Sequence, residues 1–171
     1  IPAAKNAIED GVKLIITADI GVRDHLAVET AAQGKVDVII CDHHLPPGES
    51  APKHSVSVLC PPQASCSYPN PDLAACGVSL KLAQALLEDH PRFGKQKEMI
   101  LRSLLKVAAI GTIADVVSLA STENRAIVSL GIRELRNPTH RHKPGLQALL
   151  DVSGITDNWV TGYHIGYQIA P

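Results

Sequence analysis

Three side chains that can bind metal or carry protons follow a hydrophobic run in the segment VDVIICDHHLPPGE, residues 36–49. Asp42, His43 and His44 come directly after largely apolar residues and before two prolines, and Asp19 ends an earlier run, KLIITAD. A carboxylate beside neutral imidazoles suits Mn²⁺, Fe²⁺ or Zn²⁺ better than Ca²⁺, which takes oxygen ligands only. The residue types therefore indicate a divalent metal site or a site of proton transfer.

These residues also have an ordinary structural interpretation. An acid that follows a strand often caps the next helix, and one of two adjacent histidines is often only a loop residue. Position at the end of a strand does not choose between metal binding and these roles, so both interpretations stay open.

Asp115, in GTIADVV, is a further candidate. It is the only charged side chain between Val107 and Ala120, in a segment whose composition predicts burial. Because a buried carboxylate without a cation or hydrogen bonds is costly, Asp115 needs a partner. That partner is either a metal ion or the backbone amides at a helix break near Gly111, and both remain possible.

Parallel strands would bring the first two acids together. KLIITAD and VDVIICDHH predict strands, and RDHLAVETAAQG between them predicts a helix that ends at Gly34. The spacing of Asp19 and Asp42 leaves room for this crossover helix, so we expect a right-handed βαβ unit. Both acids then lie at the carboxyl edge of the sheet, where open α/β sheets bind ligands.

The rest of the chain predicts one short strand, VSVLCPP, and then helices, including EMILRSLLKVAAIGTIADVV with an interruption at Gly111. The predicted fold is α/β, a parallel sheet with βαβ units flanked by helices, followed by a mainly helical C-terminal half. We assign the α/β core to residues 1–120 and a helical extension to residues 121–171.

Composition limits the class of protein. Of 171 residues, 45% are hydrophobic and only 3% aromatic, which is typical of a core built from Ala, Val, Ile and Leu. The net charge of −1 gives no global attraction to nucleic acid. Neither a long apolar run nor a signal-peptide pattern is seen, so we expect a cytoplasmic chain. The four cysteines lack C-x-x-C spacing and are expected to be free thiols.

The motifs together resemble the DHH phosphoesterase superfamily. LIITADIGV, VDVIICDHHLPPGE and LLKVAAIGTIADVVSLASTENRAIV are similar to its second, third and fourth motifs. DHHLPP, GTIADVV followed by ENR, and YPNPDLAACGVSLKLAQAL have the details of its RecJ branch, the single-strand-specific DNA exonucleases. The resemblance extends over almost the whole chain.

The resemblance implies a core that hydrolyses phosphodiester bonds with two divalent metals, Mn²⁺ or Mg²⁺. By motif position, Asp19 resembles the acid that bridges both metals, and His43 and Asp115 resemble ligands of one of them. His44 resembles the histidine that faces the phosphate, and Asp42 is expected to orient His43. Two metals about 3.5–4 Å apart would activate a bridging water and neutralise the phosphoryl charge. For the intact protein this implies a 5′→3′ single-stranded DNA exonuclease of DNA repair and recombination.

The chain also departs from the family. The first motif, D-x-D followed by glycine, is absent, and the sequence stops before the later arginine- and asparagine-containing stretch and the DHHA1 domain. We therefore expect a part of a larger enzyme, inactive in isolation. Two alternatives are a DHH phosphoesterase for short oligonucleotides, cyclic dinucleotides or pyrophosphate, and a non-catalytic binding module.

A basic segment, RELRNPTHRHKPG, follows the helical region. Its candidate phosphate contacts are Arg133, Arg136, Arg141 and Lys143. The alternative is a solvated helix end, where cations complement the helix dipole. One Trp, one Phe and three Tyr offer little surface on which to stack bases. The sequence leaves open the oligomeric state and whether a helicase or single-strand-binding protein is a partner.

Overall fold

The computed structural model describes residues 1–48, 51–139, 142–155 and 159–171. The helices and strands are α1 (Pro2–Glu9), β1 (Leu14–Ala18), α2 (His25–Gln33), β2 (Asp37–Cys41), β3 (Ser57–Leu59), α3 (Ala75–Glu88), α4 (Lys97–Ala114), α5 (Thr122–Leu135), α6 (Pro144–Val152) and α7 (Gly162–His164). A 3₁₀ turn, Gly94–Gln96, precedes α4, and a π-helical turn, Ile165–Ile169, continues α7. The chain forms two compact units, Ile1–Ser79 and Leu80–Pro171.

The first unit contains a parallel sheet with the strand order β1-β2-β3. The register pairs Ala18 with Cys41, and Cys41 with Leu59, so the three carboxyl ends are level. The amide of Asp19 donates to the carbonyl of Cys41 at 3.0 Å, and the amide of Asp42 donates to that of Leu59 at 3.0 Å. The predicted α/β class, the βαβ unit and the common edge for both acids are confirmed.

Small and β-branched side chains build the core of the first unit, as the composition predicted. The buried set comes from α1, α2, β2, their connections and the residue after β3: Ala4, Val22, Val28, Ala31, Val36, Val38, Ile40 and Cys60. Burial of these apolar surfaces holds the crossover helix α2 on the sheet. This packing fixes the position of the carboxyl edge of the sheet.

Helix α4 is continuous through Gly111, so the predicted interruption there is wrong. Glycine inside a helix costs only about 1 kcal/mol relative to alanine. The neighbouring Ala108, Ala109 and Thr112 are buried, and their packing offsets this cost. The helix ends instead at Ala114, followed by Val116 in the left-handed region with φ 55°.

The second unit has its own apolar core, formed by Leu135, Leu150, Ile155, Val160 and Ile165. These residues lie on α5, α6, α7 and their connections. The mainly helical C-terminal half is thus confirmed, whereas the predicted domain boundary after residue 120 stays a prediction.

Gly131 lets α5 approach α4 closely. A methyl group at this position would lie 2.3 Å from the Cβ of Ala109 and 2.6 Å from the carbonyl oxygen of Leu105. Because neither atom can turn aside, we expect Gly131→Ala to lower the free energy of unfolding by about 2 kcal/mol, measured by urea denaturation. Gly145→Ala is the control, since its methyl would meet nothing within 4 Å. Equal free energies of unfolding for the two variants would show that α4 and α5 move apart to accommodate the methyl group at no cost.

Two further features concern the chain as a whole. All four cysteines are free thiols, as predicted. In the part of the chain that the structure describes, we find no helix with the length and apolar content needed to cross a bilayer.

Candidate metal centre

Asp19 lies on a tight turn at the end of β1. Its backbone has φ 66°, a left-handed conformation that the short polar side chain of aspartate tolerates. Gly21 has φ 120°, and a methyl group there would lie 2.7 Å from the Thr17 hydroxyl. The turn therefore requires glycine, and it leaves the side chain of Asp19 62% exposed at the sheet edge.

Asp42 connects this turn to the segment after β2. The residue is buried, and one carboxylate oxygen, Oδ2, accepts the amide of Val22 at 2.9 Å. The other, Oδ1, accepts the amides of His43 at 2.8 Å and His44 at 3.2 Å, and lies 2.8 Å from Nδ1 of His44. One side chain thus holds both loops at the carboxyl edge of the sheet.

The Asp42 carboxyl is kept ionised by these contacts. Burial by itself raises its pKa, but hydrogen bonds from the Val22 amide, the His44 ring and the two histidine amides hold the pKa below its ordinary value. An ionised Asp42 can only accept, so Nδ1 of His44 carries the proton and donates it. The Nε2 atom of His44 is then left for a ligand.

The imidazole that Asp42 holds is that of His44, whereas we predicted that of His43. The amides of His43 and His44 both donate to Oδ1 of Asp42, so the backbone turns around this carboxylate and brings the ring of His44, two residues on, within its reach. Adjacency in the sequence was therefore a poor guide to which ring the carboxylate reaches.

His43 turns towards Asp19 instead. Its Nε2 lies 3.2 Å from Oδ1 of Asp19, and its side chain is only 15% exposed. The rings of His43 and His44 meet edge to face, with centroids 4.7 Å apart. One potential ligand atom from each of Asp19, His43 and His44 lies within 4.8 Å of the other two.

This donor set fits a divalent cation. With ligand bonds of about 2.1 Å, neighbouring ligands of an octahedral ion are about 3 Å apart, close to the distance between His43 and Asp19. One carboxylate and two imidazoles favour a transition metal such as Mn²⁺ over Ca²⁺. Of the two earlier interpretations of Asp19, helix capping is not observed, because α2 begins after Asp24.

Cys60 makes a hydrogen bond at the carboxyl edge of the sheet. It was not recognised as a site residue from the sequence. Its buried thiol donates to the backbone carbonyl of His44, with Sγ 3.3 Å from the oxygen. Burial, together with the charge of Asp42, raises the pKa of this thiol to about 11. Cys60 is therefore a neutral donor at physiological pH, and it is not a thiolate ligand.

The raised pKa of Cys60 predicts a loss of stability in alkali. Above its ordinary pKa of 9.0 the unfolded state releases the proton first, so the free energy of unfolding falls between pH 9 and about 11. The expected fall is about 2–3 kcal/mol. Cys60→Ser should remove it while Cys66→Ser keeps it, as measured by urea unfolding across this range. If the free energy of unfolding of Cys60→Ser fell with pH as steeply as that of the unaltered chain, the fall could not be attributed to Cys60.

Asp115 belongs to the second unit and forms the carboxyl-terminal cap of α4. It is exposed, so the predicted burial is wrong. The reason is that α4 ends at Ala114, and Val116 then adopts a conformation that a β-branched residue rarely takes. A carboxylate at the negative end of a helix dipole favours a nearby cation. Its convergence with Asp19 and His43 stays a prediction.

The ENR sequence braces the loop that follows Asp115. The amide of the buried Asn124 donates to the carbonyl of Ser118 at 2.8 Å. The guanidinium of Arg125 donates to the carbonyls of Leu119, at 2.8 Å, and Ala120, at 2.7 Å. These bonds define the path of the chain between Asp115 and α5, a role that the motif alone did not suggest.

The predicted basic contacts differ in their surroundings. Arg133 is exposed in the last turn of α5, and Lys143 is exposed at the start of α6. The guanidinium of Arg136 lies 4.4 Å above the ring of Trp159, and its Nε donates to the carbonyl of Val160 at 2.7 Å. Arg141 lies outside the described residues. Their contact with phosphate stays a prediction.

Residues 1–112 match the model of the DHH family, N-terminal domain. The chain belongs to the DHH family. The motif of the match includes Asp42, His43 and His44, which the structure places at the carboxyl edge of the sheet. The DHH sequence thus has a physical meaning here, since its aspartate orients the second histidine and leaves the first to face Asp19.

The chain is also similar to curated single-stranded-DNA-specific exonucleases named RecJ. It is 38% identical over 169 residues to the Bacillus subtilis protein, covering 99% of this chain and 20% of that one. It is 34% identical over 166 residues to the Escherichia coli protein, covering 94% and 28%. The chain therefore spans less than a third of these relatives.

Two solved structures are similar to this DHH domain at 28% sequence identity. Exonuclease RecJ bound to manganese matches with a TM-score of 0.70, covering 97% of this chain and 39% of that one. RecJ in complex with Mn²⁺ from Thermus thermophilus matches with a TM-score of 0.73, covering 99% and 23%. The match extends over the helical C-terminal half as well as the sheet.

Proposed function

We propose that this chain is part of the catalytic core of a metal-dependent phosphodiesterase, a 5′→3′ single-stranded DNA exonuclease of DNA repair and recombination. The observation that carries the proposal is the meeting of Asp19, His43 and His44 at one edge of a parallel sheet. The similarity to RecJ exonucleases over almost the whole chain supports single-stranded DNA as the substrate. Such an enzyme would act in the cytoplasm.

The metal-binding groups have distinct roles in this proposal. Asp19 and His43 would hold the cation, and Asp115 is proposed as a further ligand from its place in the motif GTIADVV. Mn²⁺ or Mg²⁺ bound as a pair would supply an activated water and neutralise charge on the phosphoryl oxygens. Asp19 would be the ligand common to both ions, since its carboxylate is exposed and each of its oxygens has lone pairs available.

His44 acts on the phosphate. Its Nδ1–H donates to the ionised, buried Asp42, which fixes the orientation of the ring. In its protonated form the ring would present Nε2–H to a phosphoryl oxygen, where negative charge increases during hydrolysis. Asp42 orients His44 and does not itself contact the substrate.

The substrate and its partners follow from single-strand specificity. Short oligonucleotides, cyclic dinucleotides and pyrophosphate are alternative DHH substrates, but the similarity over both halves of the chain is to RecJ proteins. An enzyme that requires single strands needs a source of them, so a helicase or a single-strand-binding protein is the class of partner that we propose.

The test uses the intact enzyme with Mn²⁺ and DNA labelled at either end. Mononucleotides should be released from the 5′ end of single strands, the activity should be lost with a chelator, and Mn²⁺ should restore it. Blunt duplex DNA and pyrophosphate serve as competing substrates. Faster hydrolysis of pyrophosphate or of a cyclic dinucleotide than of single-stranded DNA would overturn the proposal.

A further inference from the structure

Three aromatic side chains are exposed close together in the sequence of the second unit. The exposed fractions are 63% for Trp159, 65% for Tyr163 and 72% for Tyr167. Exposure of such large rings is unusual, because each has a large apolar face whose burial is favourable. We use the name aromatic surface for these three exposed side chains, of which Tyr163 and Tyr167 have rings in contact with each other.

The backbone beneath the aromatic surface is well anchored. Val160 and Ile165 are buried in the core of the second unit. The hydroxyl of Thr161 accepts the amide of His164 at 3.2 Å and caps the first turn of α7. The backbone that carries the rings is therefore ordered before a ligand binds, which lowers the conformational entropy lost on binding.

The two tyrosines are arranged one turn apart on the same face. Their ring centroids are 4.9 Å apart and the ring planes are inclined by 31°. Both rings are more than half exposed, so the tyrosine pair leaves ring surface open to a planar ligand. A flat heterocycle can stack on such a surface whatever its pattern of hydrogen-bonding groups.

Positive charge adjoins Trp159. The guanidinium of Arg136 lies 4.4 Å from the centre of the Trp159 ring, and its bond to the Val160 carbonyl holds it there. Arg133, one turn earlier on α5, is exposed. Aromatic rings beside arginine match the two components of a nucleic acid strand, which are flat bases and charged phosphates.

We infer that the aromatic surface stacks against the bases of single-stranded DNA, with Arg136 beside the backbone phosphates. In a duplex the faces of the bases are already stacked on one another, so this surface selects unpaired strands. The inference rests on the proposed function for the identity of the substrate. It adds a base-binding site in the second unit, outside the metal centre.

Trp159 provides a direct test because it is the only tryptophan of the chain. The 171-residue chain is titrated with a thymidine oligonucleotide in a chelating buffer, which prevents hydrolysis. Stacking should quench the fluorescence of Trp159, and a blunt duplex of equal length should quench it much less. Quenching should weaken with added salt, because phosphate contacts release counterions.

Substitutions of the rings test whether stacking contributes to the affinity for DNA. Trp159→Ala and Tyr167→Ala should each weaken the binding of a labelled oligonucleotide by about 5- to 150-fold, while Trp159→Phe keeps most of the affinity. Phe93→Ala is the matched control, since Phe93 also lies beside an arginine, Arg92, elsewhere in this unit. Circular dichroism checks that each variant is folded.

The outcomes distinguish this inference from the proposed function. If the oligonucleotide binds without changing Trp159 fluorescence, and Trp159→Ala binds it equally well, the aromatic surface is not a base-binding site. Concentration-dependent self-association that buries Trp159, with no response to DNA, also overturns the inference. If Trp159 is quenched by single strands but the intact enzyme does not hydrolyse them, the base-binding site stands and the exonuclease proposal fails.

Discussion

Asp42→Ala is expected to lower the free energy of unfolding of the first unit by about 3–5 kcal/mol. The substitution removes the acceptor of three backbone amides and of the His44 ring at a buried position. The amide of Val22, itself fully buried, would be left without its acceptor.

The control for Asp42→Ala is Asp37→Ala, an exposed aspartate at the start of the same strand. Urea unfolding should show a change of less than about 0.5 kcal/mol for Asp37→Ala. Asp42→Asn removes the charge at nearly constant volume. Its free energy of unfolding should lie between those of Asp42→Ala and Asp37→Ala. Equal stability of Asp42→Ala and Asp37→Ala would mean that the loops are held by other contacts.

The stabilisation by Asp42 should depend on pH in a defined direction. Its pKa in the folded state is held below the ordinary value, so the unfolded state binds the proton more readily. The stabilisation is full above the unfolded pKa of about 3.9 and is lost as pH falls through the folded pKa. The gap in stability between the wild-type chain and Asp42→Asn should therefore narrow in acid.

Asp19→Ala and His43→Ala are each expected to weaken Mn²⁺ binding by more than about 100-fold, because each removes a ligand of the proposed cation. Their side chains lie 3.2 Å apart and supply one oxygen and one nitrogen. Isothermal titration calorimetry of the 171-residue chain measures the affinity. Since Asp19 is exposed, its loss should lower the free energy of unfolding without metal by only about 1 kcal/mol, the cost of alanine in the left-handed conformation of this position.

Asp24→Ala is the matched control for the metal experiment. Asp24 is exposed on the same loop as Asp19, and its side chain makes no capping bond to α2. The variant should bind Mn²⁺ as the unaltered chain does. Uniform affinity across Asp19→Ala, His43→Ala and Asp24→Ala would favour the non-catalytic binding module among the original alternatives.

Loss of a metal ligand and loss of Asp42 can be told apart. Asp42→Ala should reduce both stability and Mn²⁺ affinity, because it frees the loops that carry Asp19 and His43. Asp19→Ala should reduce the affinity with only the small loss of stability that alanine causes in a left-handed position. This pattern follows from the burial of Asp42 and the exposure of Asp19, and not from their chemistry, which is the same.

The low aromatic content gave no indication of where the rings lie. The count of five Phe, Trp and Tyr residues suggested little capacity for stacking, yet three of them form the exposed aromatic surface. Arg136, predicted as a phosphate contact or a solvated cation, lies over Trp159. Whether a ring is buried or exposed depends on packing around it, which a count does not contain.

The sequence by itself determined the architecture of the first unit. Apolar β-branched runs, a helical segment between them and a sufficient crossover length allow few arrangements other than parallel strands. Because parallel strands end at a common edge, the acids that follow them had to be neighbours. The nearness of Asp19 to the DHH sequence could therefore be predicted from local patterns alone.

Only the tertiary structure decided which groups contact each other at that edge. It assigned Asp42 to His44 and His43 to Asp19, made α4 continuous through Gly111, and exposed Asp115. These outcomes depend on side-chain directions and on the paths of the loops after the strands and helices. The paths of the loops are set in part by contacts between residues distant in the sequence, such as the bond of Val22 to Asp42, and local patterns could not supply these contacts.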